Sequence, residues 1–99
     1  MTVFTKRKTY KTKAHMGVQD ITPDFKQAIN DSKLSNGIIT GYVAGCSAAL
    51  TTLEFEPGLV DHDLKAALDL ISPYRDKQGK VIKYQHHDTW GCDNGSSHI

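Results

Sequence analysis

Ile38-Ile39-Thr40-Gly41-Tyr42-Val43-Ala44-Gly45-Cys46-Ser47-Ala48-Ala49-Leu50-Thr51-Thr52-Leu53-Glu54-Phe55 is the stretch on which the fold class turns. Ile38 to Ala44 is apolar and β-branched enough for a buried strand. Gly45-Cys46-Ser47 interrupts it with small side chains, and Ala48 to Phe55 resumes as a second strand. Pro57-Gly58 then turns the chain. On this reading Glu54 and Glu56 share one strand face, because alternate side chains of a strand point the same way.

Upstream, Asp20-Ile21-Thr22-Pro23-Asp24 predicts a helix start. Thr22 is placed to cap free N–H groups, Pro23 suits the first helical position, and Asp24 complements the positive helix end. Phe25, Ala28, Ile29 and Ser32 keep one face at helical spacing until Asn36-Gly37. Val3 to Ala14, rich in Thr, Tyr, Phe and Val, predicts a strand. Downstream, Val60, Leu64, Ala67, Leu68 and Ile71 predict an amphipathic helix that stops before Pro73. Tyr74 to Lys80 reads as a polar loop, Val81 to His87 as a short strand, and Asp88 to Ser97 as a loop rich in functional groups. Strands and helices mix without regular βαβ alternation, which predicts one α+β domain over residues 1–99 with an antiparallel sheet. The sequence halts at His98-Ile99, straight after a loop, where an apolar strand is expected to begin. The domain is therefore expected to be incomplete at its C-terminus.

A chain of 99 residues buries roughly 60–70% of its extended surface when compact, so a thin core is expected. The formal net charge is +1, but it is unevenly spread. Lys6, Arg7, Lys8, Lys11 and Lys13 precede any acid, while residues from Asp20 to Ser72 are acid-rich. With no aromatic platform or nucleic-acid motif beside it, the basic run reads as a solvated face, and no nucleic-acid partner is expected. No run approaches the roughly 20 apolar residues of a membrane span, and the first residues lack a signal-peptide core. Cys46 and Cys92 form neither a disulfide framework nor a zinc spacing. A cytoplasmic protein with free thiols and no membrane partner is expected.

Three groups carry candidate chemistry. Around Gly45-Cys46-Ser47 a ligand can approach the backbone, and Ser47 offers a hydroxyl. Cys46 is a nucleophile only if its thiol is activated, and otherwise packs. Glu54 and Glu56 on one face suit Mg²⁺ beside a phosphate, or an acid and a base; Asp61 and Asp63 fit a charged helix start. The third group is Tyr84-Gln85-His86-His87-Asp88 with Trp90-Gly91-Cys92-Asp93-Asn94-Gly95-Ser96-Ser97-His98. His86 and His98 meet if the intervening loop folds back, giving two imidazoles for a metal or for proton transfer. His15 and His62 are isolated and read as surface residues.

The run Gly45-Cys46-Ser47-Ala48-Ala49 through Glu54-Phe55-Glu56-Pro57-Gly58 resembles the YjbQ-type secondary thiamine-phosphate synthase family, which carries small hydroxyl residues, Ala-Ala and Glu-x-Glu-Pro-Gly. Tyr84-x-His86 and Asn94-Gly95-Ser96-Ser97-His98 look like its second and third motifs, in the same order, and Asp20-Ile21-Thr22 fits its helix start. Departures are visible: many members have His-Thr at Gly45-Cys46, the acid before Asn94-Gly95 is displaced by one residue, and Ser96 is often His. Members also continue with further strand after the position of Ile99. The resemblance implies an antiparallel β-sandwich with two flanking helices, here its N-terminal two-thirds, assembled as a homotrimer. It also implies that hydroxymethylpyrimidine diphosphate is joined to thiazole phosphate with release of diphosphate. On that basis Ser47 and Asn94 are expected to bind the phosphorylated substrate. Glu54 is the candidate general base or metal anchor, and His86 and His98 are the candidate catalytic or metal pair, the metal being Mg²⁺ or Zn²⁺. The competing expectation is a non-catalytic oligomeric module that binds metal or phosphate.

Overall fold

A computed structural model describes residues 1–13 and 15–99. The chain forms two compact units, Met1–Gly41 and Tyr42–Ile99.

The first unit is built on helix α1, Thr22–Ser32. Its start is fixed by Asp20, whose carboxylate accepts the N–H of Thr22 at 2.9 Å, while the carbonyl of Ile21 accepts from Asp24 and Phe25 at 3.1 Å each. The capping carboxylate is thus supplied two residues before Thr22, and Thr22 is itself helical. Asp24, Phe25, Ala28 and Ser32 form the half-buried face at helical spacing, whereas Ile29 is 47% exposed. The helix ends at Lys33, in the left-handed region at φ 56°, before Asn36-Gly37 is reached. Ser32 reinforces the stop: its hydroxyl donates to Ile29 O at 2.7 Å and accepts from Leu34 N at 3.2 Å.

Residues 6, 8 and 10 lie along α1. Lys6 pairs with Asp31, Lys8 Nζ lies 3.0 Å from Asp24 Oδ1, and the Tyr10 hydroxyl donates to Asp24 Oδ2 at 2.6 Å. Gln27 also donates to Asp31, at 2.7 Å. The hydrogen bond from Tyr10, then that from Lys8, holds the Asp24 carboxyl below the usual range, and the same bond pushes the Tyr10 phenol up to about 12. Two of the five basic residues in the run, Lys6 and Lys8, are therefore paired with helix acids.

The second unit begins with an irregular stretch and becomes helical at Pro57. Pro57-Gly58, expected as a reversal, forms the first helical turn, because Glu56 caps it. Its two carboxylate oxygens accept the N–H groups of Gly58 and Leu59 at 2.8 Å each. A π-helical turn, Leu59–Asp63, leads into α2, Leu64–Ile71. Val60 is the buried apolar residue of this unit, 6% exposed, whereas Ile71 on the expected core face is 72% exposed. Asp76 organises the next reversal by accepting from Gln78 N and Lys80 N at 2.9 Å each. Arg75 and Val81 form an isolated antiparallel bridge across it. Helix α3, Gln85–Trp90, and a 3-10 turn, Gly95–Ser97, complete the unit.

The expected antiparallel β-sandwich is corrected by this architecture. Among the described residues there is no sheet, and the Arg75–Val81 bridge is the only β pairing. The stretches 3–13, 38–44 and 48–55 are irregular, and of 81–87 only Val81 pairs, in the isolated bridge, while 85–87 belong to α3; Ala14, at the end of the first expected strand, lies outside the described residues. The physical reason is that β propensity measures fit to a pleated, half-buried surface and is not a property of the isolated segment. A strand needs neighbours to take up its N–H and C=O groups, and an apolar layer over one face. Ile38, 97% exposed, has no such cover. No helix among the described residues is long and apolar enough to cross a membrane.

Candidate functional site

The second unit brings three separated motifs to one place. Gly95 is buried, and a Cβ placed on it would lie 2.6 Å from Tyr84 Cβ and 3.3 Å from His86 Cβ. The absence of a side chain lets the 3-10 turn lie directly against the start of α3. His98 consequently reaches His86: their ring centroids are 4.8 Å apart, with the planes inclined at 54°. Nδ1 of His98 lies 3.3 Å from the carbonyl oxygen of Cys46. A carbonyl can only accept, so this contact assigns the proton of neutral His98 to Nδ1 and leaves a lone pair on Nε2. Gly45, at φ 140°, supplies the backbone geometry just before Cys46, in a region that side chains avoid.

The surrounding polar contacts come from the end of α2. The Tyr84 hydroxyl donates to Pro73 O at 2.7 Å. The Ser72 hydroxyl lies 3.0 Å from Ser96 O and 3.5 Å from the Tyr84 oxygen. Beside them His87 forms a second cluster: Nδ1 is 2.6 Å from Asp93 Oδ1, and Nε2 is 3.5 Å from Lys83 Nζ. The Asp93 oxygen is out of line with the ring N–H, so Nδ1 gains a close ionic neighbour without a well-directed hydrogen bond.

The expected site residues divide accordingly. His86 and His98 meet as their spacing allowed. The Glu54 side chain is exposed, and its carbonyl accepts the N–H of Glu56 at 3.0 Å. The expected pairing of Glu54 and Glu56 on one strand face is corrected, since there is no strand and Glu56 is occupied as a helix cap. Those two backbone hydrogen bonds, first from Gly58 and then from Leu59, hold the Glu56 carboxyl below its ordinary range. Asn94 opens the 3-10 turn, its carbonyl accepting from Ser97 N at 2.9 Å. Ser47 and Cys46 are exposed, and Cys46 is a free thiol. Ser72 and Asp93 were not among the expected site residues. For Ser72 the sequence carries no signal beyond its place before Pro73.

His86 and His98, the two expected metal ligands, lie side by side. A closed zinc site takes four ligands, and a catalytic one takes three plus water. His86 and His98 make two, and among the described residues no group of three or more His, Cys, Asp and Glu side chains is gathered to hold an ion. Within the described residues of the single chain, the two imidazoles are one ligand short of a catalytic zinc site.

No curated protein and no solved structure matches the chain. A family model described as "UPF0047 protein YjbQ-like" matches residues 6–99. With the match spanning all but the first few residues, the chain belongs to the UPF0047 YjbQ-like family.

Proposed function

We propose that the protein transfers a pyrimidine-methyl group from hydroxymethylpyrimidine diphosphate to thiazole phosphate, as the resemblance to secondary thiamine-phosphate synthases implies. The observation that supports this reading is the convergence of Cys46, His86 and His98 from three separated motifs. In the transfer, the thiazole nitrogen donates its lone pair to the methylene carbon. The C–O bond to diphosphate breaks, and its electron pair leaves with the diphosphate. The attacking nitrogen carries no proton, so no general base is required at that step. What the step needs is hydrogen-bond donation to the departing oxygens, which the imidazole of His86 supplies in this proposal, with His98 packed against it. Removing one such donor costs roughly 10²–10³ in kcat. Ser47 and Asn94, both exposed, remain the proposed contacts to phosphorylated substrate.

The same reading carries a cytoplasmic location, where the free thiols of Cys46 and Cys92 stay reduced. It also carries a homotrimer. Ile38, Tyr42, Leu70, Ile71 and Trp90 are exposed in the single chain and supply apolar surface for association. Incubating the purified protein with both substrates and Mg²⁺, with thiamine phosphate measured after conversion to a fluorescent product, is the test. Product above blank, reduced at least tenfold in His86→Ala and His98→Ala, is expected. A folded sample that yields none, or a rate unchanged in both variants, overturns the proposal. Diphosphate binding without turnover favours the non-catalytic module.

A further inference from the structure

We infer that Ser72, at the end of α2, is a positioning residue for the His86–His98 pair. The inference deepens the proposed reading of that site, but its geometry can be tested without turnover. Ser72 is fixed from behind, because its N–H donates to Leu68 O at 2.8 Å and so belongs to the last turn of α2. Its side chain faces two segments that are distant in sequence. A hydroxyl carries one proton, and the 3.0 Å contact to Ser96 O is shorter than the 3.5 Å contact to the Tyr84 oxygen. The proton therefore goes to Ser96 O. The Tyr84 hydroxyl has a better acceptor of its own in Pro73 O at 2.7 Å.

The result is a paired anchorage. Ser72 holds Ser96, two residues before His98, and the neighbouring Pro73 carbonyl holds Tyr84, two residues before His86. Gly95 lies between the two tethered segments, against Tyr84 and His86. Two adjacent residues at one helix end thus set where both imidazole-bearing segments begin, and the 4.8 Å ring separation follows from them. Ser72 touches neither ring in these contacts, so it acts through Ser96.

The test uses the full chain and histidine-ring resonances at fixed pH. In the unaltered protein, His98→Ala should shift the His86 ring signals, and His86→Ala those of His98, because aromatic rings at this separation shield one another. Ser72→Ala should move both sets toward their values in those two variants. Ser72→Thr, which restores the hydroxyl, should return them. Tyr84→Phe, which keeps the ring against Gly95 and loses the Pro73 tether, should move His86 more than His98. If the transfer reaction is present, Ser72→Ala should lower kcat on the order of ten- to a hundredfold, with KM within about twofold. Ring signals in Ser72→Ala identical to those of the unaltered protein overturn the inference, whatever the rate. Loss of mutual shielding in a protein that makes no thiamine phosphate upholds the positioning role and overturns only the reaction.

Discussion

Replacing Gly95 by Ala tests whether the close approach at the site is real. The new Cβ would sit 2.6 Å from Tyr84 Cβ, 3.0 Å from Tyr84 Cγ and 3.3 Å from His86 Cβ. Carbon atoms pack best at about 3.5–4.0 Å, so the nearest contact is too short by roughly 1 Å. Cβ atoms are attached to the backbone and cannot swing aside as the tip of a long side chain can. Either the 3-10 turn or the start of α3 has to move. Overpacking of this kind costs about 1–3 kcal/mol. Against it, Ala restricts the unfolded chain and returns about 0.4–1 kcal/mol. A net loss of about 1–2 kcal/mol is expected, equivalent to a fall in Tm of about 4–16 °C for a chain of this size. Gly37→Ala is the matched control, because a Cβ there meets nothing within 4 Å and its φ is not in the left-handed region. Thermal unfolding followed by circular dichroism measures both. Equal Tm values for the two variants, or a Gly95→Ala protein as stable as the parent, would refute the packing described between the 3-10 turn and Tyr84.

Glu56→Gln removes the charge that caps the turn after Pro57, so amide exchange at Gly58 and Leu59 should accelerate while that at Asp76 and Gly79 stays unchanged; uniform exchange rates would contradict the capping role. Because the Glu56 carboxyl is held below its ordinary range, its contribution to stability is present above the unfolded-state pKa and lost as pH falls through the folded-state value. Tyr10→Phe should raise the Asp24 pKa toward the usual carboxylate range, measured by carboxyl-carbon chemical shifts. In the parent protein the Tyr10 phenol should titrate near 12, so its contribution is complete below about pH 10 and lost as pH rises toward 12. Glu54→Ala should leave any thiamine-phosphate synthesis within about twofold of the parent, and a hundredfold loss would return Glu54 to the reacting centre.

The helices were legible where local chemistry decides them. Pro23 and Asp24 suit a helix start and α1 begins there, although the carboxylate that takes up the Thr22 N–H is that of Asp20 and the expected Thr22 cap is not formed. Asp76 and Gly79 make their turn from their own side chain and backbone, without help from elsewhere. The meeting of His86 and His98 was legible as a possibility, because a loop containing Gly91 and Gly95 can return on itself. The strands were misread for the opposite reason: Ile38-Ile39 and Leu50 to Leu53 look β-like in composition, but pairing depends on partners that composition does not specify. Glu56 was misread through the strand assumption, which placed it beside Glu54 and hid its role as a cap. Ser72 was invisible because its importance lies in a carbonyl 24 residues away.

The ladder formed by Lys6, Lys8 and Tyr10 on α1 has a thermodynamic character of its own. It is made of ion pairs and a phenol–carboxylate hydrogen bond at partly exposed positions. These contacts are polar, and apolar surface is what gives unfolding its large heat-capacity change. Exposed charges separated by water are screened within about 8 Å at physiological ionic strength and more tightly above it. Attachment of this segment to α1 is therefore governed by electrolyte more than by temperature. Concentrated salt would release it as a local event while Val60 and the helix around it stay closed, whereas cooling, which weakens hydrophobic contacts, would leave the ladder in place.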